Sequence, residues 1–173
     1  MLEAENRHGI GKKYTASPKT VCLSEVPLHQ IRRLAQRRGR YGIGFRKEFV
    51  VANGGGPIMY AYKGTAHAEA LMAAVEENSN NPSHPIWTIA PFVDTPGEFP
   101  TTQYFFEWER EWRVVERLRF QPEDVAFLIL PESIHASARD FFDDAEVDNV
   151  GPNYKCPFID PYWDTEKIKR ALI

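Results

Sequence analysis

The sequence predicts an α+β fold with a mixed, mainly antiparallel sheet and flanking helices. Residues 65–77 combine high helix propensity with an apolar face, whereas residues 104–120 are rich in aromatic and β-branched side chains. Glycine and proline clusters separate these segments. Because 173 residues is the usual size of one domain, we predict an irregular lead-in over residues 1–20 and a single α+β domain over residues 21–173.

The first half of the chain predicts two strands and a helix before a glycine-rich turn. Residues 21–23 suit a short strand, and Pro27 with apolar residues at helical spacing predicts a helix over 27–38. Gly39 ends that helix, and the YGIGF segment at 41–45 reads as a strand. The GGGP turn then leads into a strand at IMYAY, so we expect a strand pair joined around the glycines.

The remaining elements follow from local composition. Residues 65–77 predict a helix, 87–93 an extended segment and 104–120 a strand, with loops at 78–85 and 94–101. Residues 125–130 predict a buried strand. Helices are expected from Pro131 through Phe142 and over 165–172.

Composition excludes several classes of protein. No stretch approaches the roughly 20 apolar residues of a membrane helix, and the N-terminal segment lacks the apolar core of a signal peptide, so we expect a soluble, cytoplasmic protein. Cys22 and Cys156 have no CxxC or Cys/His spacing, which indicates reduced thiols. The histidines form no HxH or HxxxH pair, so no metal site is expected.

The densest ionisable cluster lies between Glu107 and Arg113. In a strand, Glu107, Glu109, Glu111 and Arg113 share one face because successive side chains alternate. Such a row can tune one carboxylate as an acid and another as a base, or bind a hydroxyl-bearing ligand. The alternative is a solvated or edge-protecting charged face.

Two further surfaces are candidates for function. Arg33, Arg37, Arg38 and Arg40 form a basic helix surface that can meet phosphate, or that is merely solvated. Ser24 follows a short strand, where a functional side chain or a helix cap is expected. The GGGP segment lacks the lysine and spacing of a P-loop, so we interpret it as a turn.

Four motifs follow one another along the chain: CLSEVPL at 22–28, YGIGF at 41–45, GGGPIMY at 54–60 and EREWRV at 109–114. Their order and spacing resemble those of the AbiGi-type abortive phage resistance family. The resemblance spans about residues 22–130, and EREWRV is its most specific element. It implies a component of bacterial phage defence or of a toxin–antitoxin system, with a cognate toxin or antitoxin protein as partner.

The layout also resembles that of DNA-targeting ADP-ribosyltransferase toxins. This resemblance implies NAD as cofactor, Glu111 as the catalytic glutamate and Glu109 as an assistant to the accepting nucleophile. It places Ser24, Tyr41, Phe45 and Tyr60 at the NAD site. Those toxins use an arginine or histidine in their first NAD-binding strand; GGGPIMY has neither, and Arg46 is the substitute to consider.

The sequence therefore leaves three hypotheses for function. The first is a phage-defence or toxin–antitoxin component on an ADP-ribosyltransferase-like scaffold. The second is a non-catalytic nucleic-acid-binding or antitoxin module that uses the basic helix over 28–40. The third is a metal-free RNase toxin in which Glu109 or Glu111 works with Arg113 or His135.

Overall fold

A computed structural model describes the backbone of residues 1–99 and 102–173, and the side chains of residues 1–98 and 105–173. The chain divides into two compact units. The first unit consists of Met1–Glu25 and Val50–Arg119, and the second of Val26–Phe49 and Phe120–Ile173. The predicted boundary between a lead-in over 1–20 and a domain over 21–173 stays a prediction.

The helices lie in both units, and short 3₁₀ turns precede or follow several of them. The α-helices of the described residues are α1 (Ile31–Arg38), α2 (Lys47–Ala52), α3 (Ala66–Glu77), α4 (Ile86–Ile89), α5 (His135–Val147) and α6 (Thr165–Leu172). The 3₁₀ turns there are Leu28–Gln30, Ala90–Phe92, Glu107–Glu109, Pro122–Asp124 and Glu132–Ile134.

The strands are short, and most of their pairings are antiparallel. In chain order the described strands are β1 (Leu2–Glu3), β2 (Thr20–Ser24), β3 (Gly42–Phe45), β4 (Gly56–Pro57), β5 (Met59–Tyr60), β6 (Val93–Asp94), β7 (Gly97–Phe99), β8 (Thr102–Tyr104), β9 (Glu111–Val115), β10 (Arg117–Leu118), β11 (Val125–Ile129) and β12 (Phe158–Ile159). The predicted α+β class with a mainly antiparallel sheet arrangement is confirmed.

In the first unit, the central sheet has the order β2-β9-β4, with both pairings antiparallel. The pairs β1–β10, β5–β6 and β7–β8 accompany it, and β5–β6 is parallel. Helix α3 buries Ala68 and Val75, and these side chains pack in a core with Trp87 and Val93. The helix predicted over 65–77 is confirmed, and one of its faces packs in this core.

In the second unit, the sheet has the order β12-β11-β3, with β11 antiparallel to β3 and parallel to β12. Alternate side chains of β11 enter different cores, as a two-residue period requires. Leu128 packs in a cluster with Phe142 of α5, whereas Ile129 packs in a cluster with Ile31 of α1 and Ile168 of α6. Helices therefore cover both faces of this sheet.

The expected strand pair around the glycines is wrong. Strand β3 pairs with β11, and β4 pairs with β9, so the strands before and after the glycines belong to different sheets. Helix α2, which the sequence analysis did not predict, lies between β3 and the turn. The glycines do form the predicted turn, with Gly54 at φ 75°.

Two other segments differ from their predictions. Residues 87–93 are not extended but form most of α4 and a 3₁₀ turn before β6 begins at Val93. Residues 104–120 do not form one strand, because the 3₁₀ turn Glu107–Glu109 interrupts them. The predicted loop at 94–101 contains β7, and residues 100–101 lie outside the described residues.

Candidate functional site

Three neighbouring strands bring Ser24, Tyr60 and Glu111 together in the first unit. Ser24 lies directly opposite Glu111 in the β2–β9 register. Directly opposed residues of an antiparallel pair project from the same face, so these two side chains share one face. The backbone N–H of Glu111 donates to the Tyr60 hydroxyl at 3.3 Å. These three predicted site residues therefore surround one position at the start of β9.

A buried arginine fixes the Glu111 carboxylate. Arg113 is 1% exposed, and its Nε donates to Glu111 Oε1 at 2.8 Å while its Nη2 donates to Asp94 Oδ2 at 2.7 Å. Its Nη1 donates to the Pro91 carbonyl oxygen. Burial opposes the charge of Arg113, but the hydrogen bonds to both carboxylates outweigh it and raise the pKa of the guanidinium. The Glu111 side chain remains 17% exposed.

His8 shares the electrostatic environment of this cluster. Burial, followed by the positive charge of Arg113, lowers the pKa of the His8 ring, while Glu111 and Asp94 oppose the change. The next residues fix its position, because the Ile10 N–H donates to the Val93 carbonyl oxygen at 3.1 Å. Sequence reasoning missed His8, since nothing in the local pattern of residues 1–20 connects it with β6 or β9.

Cys22 completes the cluster on β2, where it lies opposite Arg113. The residue as a whole is exposed. Its sulfur is nevertheless partly shielded from water by neighbouring atoms. This desolvation, together with the charge of Glu111 and a hydrogen bond to it, raises the pKa of the thiol to about 12. The thiol is therefore protonated at neutral pH, and it serves as a donor to Glu111 rather than as a nucleophile.

A family model matches residues 3–141, and its description is "Putative abortive phage resistance protein AbiGi, antitoxin". The chain belongs to the AbiGi family. The predicted resemblance to this family is confirmed, and the matched range contains the cluster of His8, Asp94, Glu111 and Arg113. Membership indicates an antitoxin role in abortive phage resistance. Comparisons of this AbiGi chain with curated proteins and with solved structures gave no match.

Glu109 does not join Glu111 on a common strand face in this AbiGi chain. It ends the 3₁₀ turn Glu107–Glu109 and is 3% exposed. Arg110 then adopts the left-handed backbone conformation, with φ 44°, before β9 begins. Of the four residues in the predicted row, only Glu111 and Arg113 share a strand face. The predicted positions of Glu107 and Glu109 are wrong, because alternation of side chains requires an unbroken strand.

Two predicted NAD contacts lie in the second unit instead. Tyr41 precedes β3 and is 71% exposed. Phe45 ends β3, where its ring is stacked 5.4 Å from that of Phe49 and meets Phe120 edge-on at 5.1 Å. Phe45 thus packs against neighbouring rings of its own unit, which accounts for its partial burial.

The predicted basic surface is present on the second unit. Arg32, Arg33, Arg37 and Arg38 of α1 and the following Arg40 are all exposed, and we call these five residues the arginine face. Arg46, the substitute considered for an NAD-binding arginine, is exposed beyond the end of β3.

The hypothesis of an RNase toxin requires a phosphate clamp and a free base. Arg113 donates to three acceptors and is almost fully buried, which makes it unsuited to clamp a substrate phosphate. His135 packs edge-on against Phe158 and Trp163, and its Nε2 lies 3.0 Å from the Leu130 carbonyl oxygen. Both side chains therefore have structural partners.

Among the described residues, no three His, Cys, Asp or Glu side chains lie close enough together to hold a metal ion. None of the described helices combines the length and apolar character that crossing a bilayer requires.

Proposed function

We propose that this chain acts in abortive phage resistance as an ADP-ribosyltransferase-like protein that binds NAD around Glu111. The observation that carries the proposal is the fixed Glu111 carboxylate, which Arg113 holds beside Ser24 and Tyr60. In this proposal the protein acts in the cytoplasm. The antitoxin description of the family adds a cognate toxin as the proposed protein partner.

The residues around Glu111 fit the nicotinamide–ribose part of NAD. A partly exposed carboxylate accepts hydrogen bonds from ribose hydroxyls, and nearby side-chain hydroxyls extend such a network. Ser24 and Tyr60 supply these hydroxyls, and Tyr60 is partly buried beside Glu111. GGGPIMY has neither the arginine nor the histidine that the transferase resemblance implies in a strand, and we assign that role to His8, which lies outside the strands but within electrostatic reach of Glu111.

The chemistry that NAD supplies is transfer of its ADP-ribosyl group: the bond from ribose to nicotinamide breaks, and an acceptor forms the new bond and loses a proton. The negative charge of Glu111 stabilises the positive charge that develops on the ribose during this step. The hydrogen bond from Arg113 keeps that carboxylate oriented. Glu109 is buried in its 3₁₀ turn, so we assign the charge-stabilising role to Glu111 alone.

Nicotinamide release from NAD tests the transferase part of the proposal. We expect Glu111→Gln to lower the rate by about 100-fold or more, which is the usual effect of removing one electrostatic contact to a transition state. Glu69→Gln is the matched control, because Glu69 is exposed on α3, and its rate should equal that of the unmodified protein. Equal rates in the Glu111 and Glu69 variants would remove Glu111 from the reaction.

A further inference from the structure

We infer that the arginine face of the second unit binds single-stranded nucleic acid. The guanidinium groups would contact backbone phosphates, and the exposed ring of Tyr41 would stack on a base. This inference does not depend on the proposed NAD site, because its residues belong to the second unit and the Glu111 cluster to the first.

The stretch of sequence that contains the arginine face is strongly basic. The sequence contains no acidic residue between Glu25 and Glu48, whereas the same stretch carries seven basic side chains. They are Arg32, Arg33, Arg37, Arg38, Arg40, Arg46 and Lys47. The protein as a whole has a formal net charge of −3, so this concentration is local. A local basic surface attracts phosphates and releases their counterions, which supplies most of the affinity for a nucleic-acid backbone.

The fold turns these arginines outward. Ile31 and Ala35 of α1 are 6% and 7% exposed, and Ile31 packs in the core with Ile159 and Ile168. Helical periodicity then leaves the arginines of α1 on the solvent side. Arg40, which follows the end of the helix at Gly39, is also exposed, and it shares the ring of Tyr162 with Arg32.

Aromatic rings lie among these charges. Tyr162 is 37% exposed, and the guanidinium carbons of Arg32 and Arg40 lie 5.5 Å and 5.1 Å from its ring centroid. Arg32 Nη2 also donates to the Tyr162 carbonyl oxygen at 2.6 Å. These contacts order two long side chains before any ligand binds, which lowers the entropy cost of binding. Tyr41, adjacent to Arg40, exposes 71% of its surface.

The combination of exposed arginines with the exposed ring of Tyr41 favours single-stranded nucleic acid over other partners. Unpaired bases present flat faces to an exposed ring such as that of Tyr41, and stacking of this kind tolerates any sequence. The bases of a duplex are already stacked on one another. An acidic protein surface would match the charge of the arginines but would leave Tyr41 without a planar partner.

Fluorescence anisotropy with 12-nucleotide oligo(dT) and oligo(U) tests the inference. We expect the Arg33→Gln, Arg37→Gln, Arg38→Gln variant to bind at least one of these oligomers about ten-fold more weakly than the unmodified protein at low salt. In a plot of log affinity against log salt concentration, the slope for this variant should be smaller in magnitude by about 2. Each phosphate contact to a single strand contributes roughly 0.7 to that slope. Tyr41→Ala should weaken binding about five-fold or more, whereas Tyr41→Phe should not.

A variant of the first unit provides the matched control. Lys19→Gln, Arg117→Gln, Arg119→Gln removes the same charge from exposed positions of that unit and should bind like the unmodified protein. Circular dichroism checks that each variant is folded. Equal losses in both triple variants, tighter binding to a duplex of the same length, or no binding of either oligomer at low salt would overturn the inference. Binding of an acidic protein with no binding of either oligomer would also overturn it.

Discussion

Arg113 Nε donates a 2.8 Å hydrogen bond to Glu111 Oε1, two residues earlier on the same face of β9. The guanidinium is buried and also binds Asp94, whereas Glu111 remains partly exposed. Arg113 is therefore the positioning residue of the cluster, and Glu111 is the group that can meet a ligand.

Replacing Arg113 by Met should destabilise the protein by about 3–5 kcal/mol, the usual cost of removing one partner from a buried ion pair. The loss arises because the Glu111 and Asp94 carboxylates would lose the guanidinium that binds both of them. Urea denaturation followed by tryptophan fluorescence measures the change. Arg119→Met, at an exposed position, is the control and should change stability little. A cost below about 1 kcal/mol for Arg113→Met would mean that the ion pairs are not well buried.

Replacing Gly9 by Ala should cost about 3 kcal/mol, because strain at positive φ and overpacking add. Gly9 has φ 78°, and a Cβ atom there would lie 2.2 Å from the Ala90 carbonyl oxygen. Gly64 has a similar φ of 83° but no atom within 4 Å of its Cβ position, so Gly64→Ala should cost only about 1 kcal/mol. Thermal denaturation compares the two variants. Equal costs would show that Gly9 is not closely packed.

The His8 ring should make the protein less stable in acid. Its folded pKa is lowered, so between the unfolded value of 6.5 and the folded value the unfolded chain binds more protons. Stability therefore falls as the pH drops below 6.5. His8→Asn removes this contribution, and its melting temperature should fall less between pH 7.5 and pH 5 than that of the unmodified protein. Parallel decreases in the two proteins would contradict the lowered pKa.

Cys22 should react slowly with thiol reagents at pH 8. A pKa of about 12 instead of 9.0 leaves far less thiolate, and after allowance for its greater nucleophilicity the rate should be several tens of times below that of an ordinary cysteine. Glu111→Gln removes a charge that raises this pKa and should accelerate the reaction. The measurement is iodoacetamide labelling in a Cys156→Ala background. An ordinary rate, unaffected by Glu111→Gln, would contradict the contact between Cys22 and Glu111.

Local sequence signals predict elements whose determinants are close together in the chain. The predicted helix over 165–172 agrees with α6, which Asp164 caps by accepting a 2.7 Å hydrogen bond from the Lys167 N–H. Helix α3 follows from its composition in the same way. The GGGP segment is correctly predicted as a turn for the same local reason, since it needs positive φ at Gly54.

Features that depend on tertiary contacts could not be predicted. Nothing near Arg110 indicates its left-handed conformation, because a non-glycine residue rarely adopts it, and so the break before β9 was missed. The pairing partners of β3 and β4 lie far away in sequence. His8 and Asp94 join Arg113 only through the packing of distant segments, whereas the pair of Glu111 and Arg113 follows from the two-residue strand period.

The most direct test of the central claim is calorimetric titration of the purified protein with NAD, beside Glu111→Gln and the control Glu69→Gln. The account predicts saturable binding to the unmodified protein and to the Glu69 variant, and binding at least about ten-fold weaker to the Glu111 variant because a charge-assisted hydrogen bond is lost. No detectable heat of NAD binding to the unmodified protein, or equal binding to the Glu111 variant, would contradict it.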